Sequence, residues 1–455
     1  MREGPMLQDS VVAEFRAKLR GQLLRPGDSG YDEARQVYNR MIDKHPALIV
    51  RCVGVSDVTE SVHFARAHHL FVAVRGGGHS VAGKAVCDDG ILIDLSPMKG
   101  VRVDPVRRVA YAQAGLTLGE LDHETAAFGL ATPLGVVSKT GIAGLTLGGG
   151  LGWLNGKYGL AVDNLLSVDV VTAEGRFVTA SATEHEDLFW ALRGGGGNFG
   201  IATSFEYRLH PVDNVLAGLV IHPLPRAREV LRFYRDLSAS APDDLNVDAL
   251  MATGPDGNAM IALVACYNGP VDHAQAALQP LRSFGPPIAD LLRPMRFVEV
   301  QRMLDNAFPE GFRHYWKAHF IRSLCDSAIG TLATFAESKP SPTTTVVLQH
   351  FHGAAARVAP TATAFAHRAE QHNLIIVSMW ADPAEADKNI RWTRDLSEAM
   401  SLFVERDVYV NDLGEEGDER VRAAYGQNYE RLSAIKKKYD PTNFFGLNHN
   451  ITPAA

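Results

Sequence analysis

Val74-Arg75-Gly76-Gly77-Gly78-His79-Ser80 runs an apolar strand into three glycines and delivers one histidine. Three successive residues without Cβ let backbone N–H groups approach something large and flat or anionic, while His79 adds one reactive ring nitrogen at its edge. A tethered cofactor is the expectation, although a Gly-rich turn by itself also reads as plain turn chemistry. Two further clusters follow: Thr140-Gly141-Ile142-Ala143-Gly144-Leu145-Thr146-Leu147-Gly148-Gly149-Gly150-Leu151-Gly152-Trp153, and Gly194 to Gly200. Turns alone do not require so many. Within the last cluster, Gly195-x-Gly197-x-x-Gly200 spells a nicotinamide-dinucleotide fingerprint, but that fingerprint must follow a strand and open a helix. Here Glu184 to Trp190 reads as a helix before the glycines and Ile201 to Leu209 as a strand after them, so the order is reversed.

A chain of 455 residues with 46% hydrophobic content is long enough for roughly two to three domains with buried cores. The net charge of −7, with both signs spread along the sequence and only the short basic run Lys436-Lys437-Lys438, speaks against a nucleic-acid partner. Cys52, Cys87, Cys266 and Cys325 form no C-x-x-C pair and are too few to staple the chain, which fits a reduced compartment. Residues 1–40 hold no apolar core of signal-peptide length, and no later apolar stretch is long enough to span a bilayer. A cytoplasmic protein without a membrane partner is expected; the oligomeric state is not encoded in these features.

From Pro46 onward short strands and helices alternate. Leu48 to Val53, Phe71 to Val74 and Ile91 to Leu95 read as strands, Asp57 with Glu60 as a capping-box-like helix start, and Thr117 with Glu120 as a second. Val168 to Thr172 and Arg176 to Thr179 form a hairpin. After about Pro211 the glycine clusters stop. Strands at 217–222, 344–352 and 373–380, a hairpin over Pro255-Asp256-Gly257, and helices around 226–238, 271–283 and 386–404 then suggest an antiparallel sheet covered by helices, the expected substrate unit. A C-terminal helix stopped by Pro441 leads into Asn448-His449-Asn450. The fold class is α+β.

Together these segments resemble the berberine bridge enzyme-like FAD-linked oxidases of the vanillyl-alcohol oxidase and p-cresol methylhydroxylase flavoprotein group. The marks are Val74 to Ser80, Gly141 to Trp153 with Lys157-Tyr158-Gly159-Leu160-Ala161-Val162-Asp163-Asn164, Arg193 to Gly200, and Tyr439-Asp440-Pro441-Thr442-Asn443 with the Asn448-His449-Asn450 end. The resemblance implies a two-part FAD-binding domain of the vanillyl-alcohol oxidase type, residues 1–212 with a returning segment 406–455, and a substrate domain 213–405. It implies FAD covalently attached through His79. The implied cofactor-binding set is Arg75, Gly76, Gly77, Gly78, His79, Ser80, Gly83, Pro133, Gly135, Thr140, Gly141, Gly144, Gly148, Gly149, Gly150, Trp153, Tyr158, Gly159, Asp163, Asn164, Asn198, Gly200, Ile201, Asn448 and Asn450. Many relatives add a second bond from a cysteine; the matching position here is Val137, which cannot form a thioether, so a single attachment is expected.

Such an oxidase moves hydride from a substrate C–H to the flavin while a base takes the proton of the O–H or N–H being oxidised, and dioxygen reoxidises the flavin. Where familiar members carry Tyr-x-Asn-Tyr, this chain has Tyr409-Val410-Asn411-Asp412, which puts Asp412 in the place of the base, though Asp412 to Gly417 also reads as an acidic loop. His350 and His352 share a strand face by the period of two and are candidates for proton relay, for a metal, or for hydrogen-bonded imidazoles inside a sheet. Tyr315-Trp316-Lys317 is a candidate pocket lining. The expected activity is oxidation of an alcohol or amine on a small molecule. The alternatives are a flavin dehydrogenase using another acceptor, and a metal hydrolase built on His350 and His352.

Overall fold

The computed structural model describes residues 7–455. Leu48–Arg51, Ile91–Asp94 and Val72–Arg75 lie parallel in that spatial order, with Gln22–Leu24 antiparallel at the edge. These strands read as continuous apolar runs because both faces are covered: Leu48, Val50, Ile91 and Ile93 pack beneath the helix Val55–Ala67, and Ile49, Ala73 and Leu92 join Tyr31 and Val37 on the other side. An antiparallel sheet follows in the order Val101–Asp104, Val109–Gln113, Ile201–Arg208, Leu165–Val171 and Phe177–Ser181.

The capping box at Thr117 is complete, with Glu120 N–H donating to Thr117 Oγ1 at 3.4 Å and Thr117 N–H to Glu120 Oε2 at 2.7 Å. The expected start at Asp57 is corrected. Gly54 is the residue before that helix, and the Asp57 carboxylate, 1% exposed, accepts the backbone N–H groups of Val53, Arg20 and Gly21. It therefore ties the N-terminal segment to the exit of a strand instead of capping with Glu60. The third glycine cluster lies between the helix Glu186–Leu192 and the strand Ile201–Arg208, the reverse of a dinucleotide-binding entry.

The largest sheet is antiparallel, in the order Ala289–Asp290, Asn214–Pro223, Ala259–Tyr267, Leu245–Thr253, Thr345–Phe351, Gln371–Trp380 and Arg313–Ile321, with Arg293–Arg296 also paired to Asn214–Pro223. Its two faces follow from the period of two. Val247, Ala249, Leu263, Val346, Leu348, Leu374 and Ile376 pack under the helices Ala227–Ser238, Val271–Ser283, Asp326–Glu337 and Ala386–Met400. Leu250, Val264, Val347, Ile375 and Val377 point the other way, toward the glycine-rich loops, beside Trp153, Leu304 and Phe308. The last helix of this unit stops at Met400, short of the expected 404.

Residues after 405 return to the first core, where Val408, Val410, Tyr425, Leu432 and Ile451 pack with Phe199, Phe205 and Leu188. The helix Tyr429–Tyr439 is locked there by a fully buried ion pair. Lys436 Nζ donates to Asp440 Oδ2 at 2.7 Å and to Asn198 O at 2.7 Å, while the Asp440 carboxylate accepts the N–H groups of Phe444 and Phe445. Asn39 joins the N-terminal loop to the large sheet, its amide donating to Val81 O and His314 O and its oxygen accepting the His314 N–H at 2.9 Å.

Candidate active site

The first two glycine clusters meet backbone to backbone. A Cβ placed on Gly77 would lie 2.5 Å from Gly141 Cα, and one placed on Gly148 would strike the side-chain oxygen of Asn411. Real Cβ atoms do not sit at such distances, so these glycines are required by close approach. Out of this contact the chain delivers His79. Its ring stacks on Tyr38, with centroids 3.9 Å apart, and Tyr38 stacks in turn on His314 at 4.3 Å. His79 Nε2 is buried without a hydrogen-bond partner, and burial lowers its ring to a pKa of about 4. At neutral pH the ring is uncharged and keeps a free lone pair.

One large cavity lies between the glycine loops and the open face of the sheet. Of the expected cofactor residues it is lined by Gly76, Gly77, Gly78, His79, Ser80, Gly135, Thr140, Gly141, Gly144, Gly148, Asn198 and Asn448, and it reaches Tyr409 and Asp412. A smaller cavity shares Gly76, Gly144, Gly197 and Asn448 with it and continues past Gly200 and Ile201 to Leu447. Val137 borders the main cavity, as does Trp316, whereas Tyr315 meets Arg394 and Lys317 pairs with Glu416.

Other expected residues stand behind this lining. Arg75 turns away from it, its guanidinium spent on Asp94 at 2.7 and 3.1 Å and on the carbonyls of Ala34 and Gln36. Asp163 pairs with Arg368 through two bonds of 2.8 Å. Asn164 donates to the carbonyls of Tyr158 and Leu160 while its oxygen meets His210, on which Tyr158 stacks. Gly159 lies against Asp163, Gly83 against Ile42, and Gly149 against Phe365 and Tyr409. Trp153 is core, and Pro133 is buried outside the cavity wall. Gly150 N–H donates to Tyr409 Oη at 2.7 Å, which places this glycine one contact behind the cavity. Asn450 lines neither space, and its Oδ1 is buried without a partner.

His350 and His352 are not brought to the cavity. Val347 and Gln349 face it, so His350 shares the opposite, helix-covered face with Val346 and Leu348. There His350 stacks on His352 at 4.0 Å and on His372 at 5.5 Å, and His372 Nε2 meets Ser238 Oγ at 3.1 Å. Burial lowers all three rings, to about 2, 4 and 4 for His350, His352 and His372. Among the described residues no group of three or more His, Cys, Asp or Glu side chains is placed to hold a metal ion.

Asp412 is different. It sits in the cavity wall at 8% exposure, on a turn where its N–H donates to Tyr409 O, and its Oδ2 accepts from Asn373 Nδ2 at 2.7 Å. Burial raises its pKa to about 6 against the lowering effect of that hydrogen bond. The Tyr409 hydroxyl accepts from Gly150 N–H and from Asn411 Nδ2 at 2.7 Å each, so it joins the glycine loop to the turn that bears Asp412. Sequence reasoning missed Asp248, Gln349 and Asn373, which lie on the cavity side of the sheet. The alternation in Leu245-Asn246-Val247-Asp248-Ala249 is the signal that points to the first of them.

These observations fit a flavin dinucleotide: two adjoining spaces, a wall of glycine loops packed backbone to backbone, and an orphaned imidazole nitrogen in that wall. Residues 46–181 match the family described as FAD binding domain, and residues 405–452 the family described as Berberine and berberine like. A FAD-linked oxidoreductase of Dictyostelium discoideum is 31% identical, over 97% of this chain and 97% of its own length. The (R)-6-hydroxynicotine oxidase of Paenarthrobacter nicotinovorans is also 31% identical, over 96% of this chain and 97% of its own. The crystal structure of 6-hydroxy-D-nicotine oxidase from Arthrobacter nicotinovorans superposes with a TM-score of 0.88 at 29% identity, covering 96% of this chain and 98% of that one.

Proposed function

The chain belongs to the berberine bridge enzyme-like FAD-linked oxidoreductases, and from that membership we propose that it oxidises an alcohol or amine of a small molecule, with FAD bound covalently to His79 and Asp412 as the base. One observation carries the reading: a single cavity is lined both by His79, whose Nε2 has no partner, and by Asp412, a buried carboxyl whose pKa burial raises to about 6. The FAD-binding unit comprises residues 1–212 and 406–455, and residues 213–405 form the substrate domain, whose sheet lines the cavity beside Asp412. Four free cysteines support a reducing, cytoplasmic setting.

When bound, FAD would supply the acceptor for hydride leaving the substrate C–H, and its reoxidation by dioxygen would yield hydrogen peroxide. The neutral, stacked imidazole of His79 presents the nitrogen that holds the cofactor, and Val137 leaves this as the single attachment. Asp412 takes the proton of the substrate O–H or N–H. Asn373 holds Oδ2, leaving Oδ1 to meet substrate. A base titrating near the working pH combines adequate ionisation with adequate proton affinity. The similarity to a 6-hydroxynicotine oxidase supports oxidation of a small molecule.

Because the carboxylate is the form that accepts the proton, and burial raises its pKa to about 6, kcat/KM is expected to fall as pH drops through that value and to level off above it. A pH profile flat down to the ordinary carboxylate range would contradict the role. Gly77→Ala is expected to give protein that retains no flavin, because the added Cβ would meet Gly141 Cα at 2.5 Å; visible absorbance of the purified variant checks it. Peroxide release on screening small alcohols, sugars and cyclic amines tests the reaction class, and stopped-flow mixing of the reduced enzyme with air-saturated buffer tests the use of dioxygen. Slow reoxidation by dioxygen with fast reoxidation by an artificial acceptor would replace the oxidase by a dehydrogenase.

A further inference from the structure

The sheet wall of the cavity carries a row of polar side chains, Asp248, Gln349 and Asn373, of which the proton transfer at Asp412 uses only Asn373. Gln349 stands opposite Asn373 in the strand register, and one position beyond the pair Ala249 and Leu348 brings Asp248 beside Gln349. Asn373 donates to Gln349 Oε1 at 3.0 Å and to Asp412 Oδ2 at 2.7 Å, so two amides link the row to Asp412. The next row, Leu250, Val347 and Ile375, is wholly apolar.

Asp248 is 3% exposed, and burial pushes its carboxyl up to about 7. The pairing of Leu245–Thr253 with Thr345–Phe351 covers only Ala249 to Met251, and just past its end Asp248 Oδ1 accepts the His350 N–H at 2.9 Å and Asn246 Nδ2 at 3.3 Å. Oδ2 has no partner among the described residues, and the side chain borders the cavity. Capturing one backbone N–H needs only a neutral acceptor. A buried carboxyl with an unspent oxygen is costly unless something in the cavity meets it. Gln349 is in the same position, since its oxygen is taken by Asn373 and its NH2 group faces the space that Asp248 faces.

We propose that Asp248, with Gln349 beside it, is a second polar contact for substrate, and that the substrate carries a hydroxyl or amine remote from the oxidised carbon on an otherwise apolar frame. The strands bearing Asp248 and Asn373 are two steps apart in the sheet, about 10 Å, which sets the scale of the span between the two polar ends of the ligand. Leu250, Val347, Ile375, Phe308 and Trp316 pack its frame. The inference rests on this cavity being the substrate site of the FAD-linked oxidoreductase and not on the role of Asp412.

Titration of the flavoprotein, followed by perturbation of flavin absorbance, with 4-methylbenzyl alcohol, 4-(hydroxymethyl)benzyl alcohol and 4-(aminomethyl)benzyl alcohol compares one frame without and with the remote donor. At least one donor compound is expected to bind about tenfold more tightly than the methyl compound, and Asp248→Leu to reduce that ratio to about twofold or less. The amine arm and the hydroxyl arm show which donor is preferred. Should Asp248→Leu fail to fold, Gln349→Leu and Asp248→Asn give the same comparison through the ratio. Equal binding of the three compounds by the unmodified protein, binding of none of them, or a ratio that survives in the variants overturns the proposal. Turnover is scored separately. Donor-selective binding without flavin bleaching upholds the contact at Asp248 and counts only against oxidation of a benzylic alcohol, and bleaching without selectivity upholds the oxidation and overturns the contact.

Discussion

Asp412→Asn is expected to lower kcat by about 10²- to 10⁴-fold, the range over which a positioned base acts. The amide oxygen of the replacement still accepts from Asn373, so the turn at Tyr409 and the flavin content stay as they are while the proton acceptor is lost. Anaerobic single-turnover mixing with substrate, read by flavin bleaching, separates this from slow reoxidation. The residual rate is expected to lose its dependence on a group titrating near 6. A loss smaller than about tenfold would move the base elsewhere in the cavity.

The second large effect is on stability. Lys436 and Asp440 have no exposed side-chain surface, and they hold the returning tail against Asn198 and Phe445. Replacing one partner leaves an uncompensated buried charge, which costs about 3–5 kcal/mol, whereas removing the second charge as well is less harmful provided that an acceptor for the Phe444 and Phe445 N–H groups is kept. Asp440→Asn is therefore expected to lower the denaturation midpoint strongly, and Lys436→Met with Asp440→Asn, which removes the unpaired ammonium while an amide oxygen still accepts a backbone N–H at Phe444 or Phe445, to recover part of the loss. The tail also carries Asn448 into the cavity wall, so flavin release is expected to accompany unfolding. A midpoint unchanged in Asp440→Asn would show that the ion pair does not hold the tail.

Much of the fold is legible in the chain because its signals are local. Three glycines with a histidine, a complete capping box at Thr117, and a helix before the third glycine cluster each follow from neighbouring residues, and the structure contains them. What the sequence hides is pairing across distance. Arg75 looks available to a ligand until Asp94 is seen to hold it, and Asp163 until Arg368 does. The side on which His350 and His352 lie is likewise invisible to a period of two, which says that they share a face and not which face that is. The helices over Val346 and Leu348 decide it. The strand Arg313–Ile321 escapes notice because its cavity side carries His314 and Trp316 where an apolar alternation is sought.

The covalent link is open to the most direct test. The protein is precipitated in acid, the pellet digested, and the flavin fluorescence followed. Yellow colour is expected to stay with the polypeptide and to map to one peptide, the one containing His79, with none attached near Val137. Complete release of the flavin into the acid supernatant, or a His79→Ala protein whose flavin remains equally unextractable, would contradict attachment at His79.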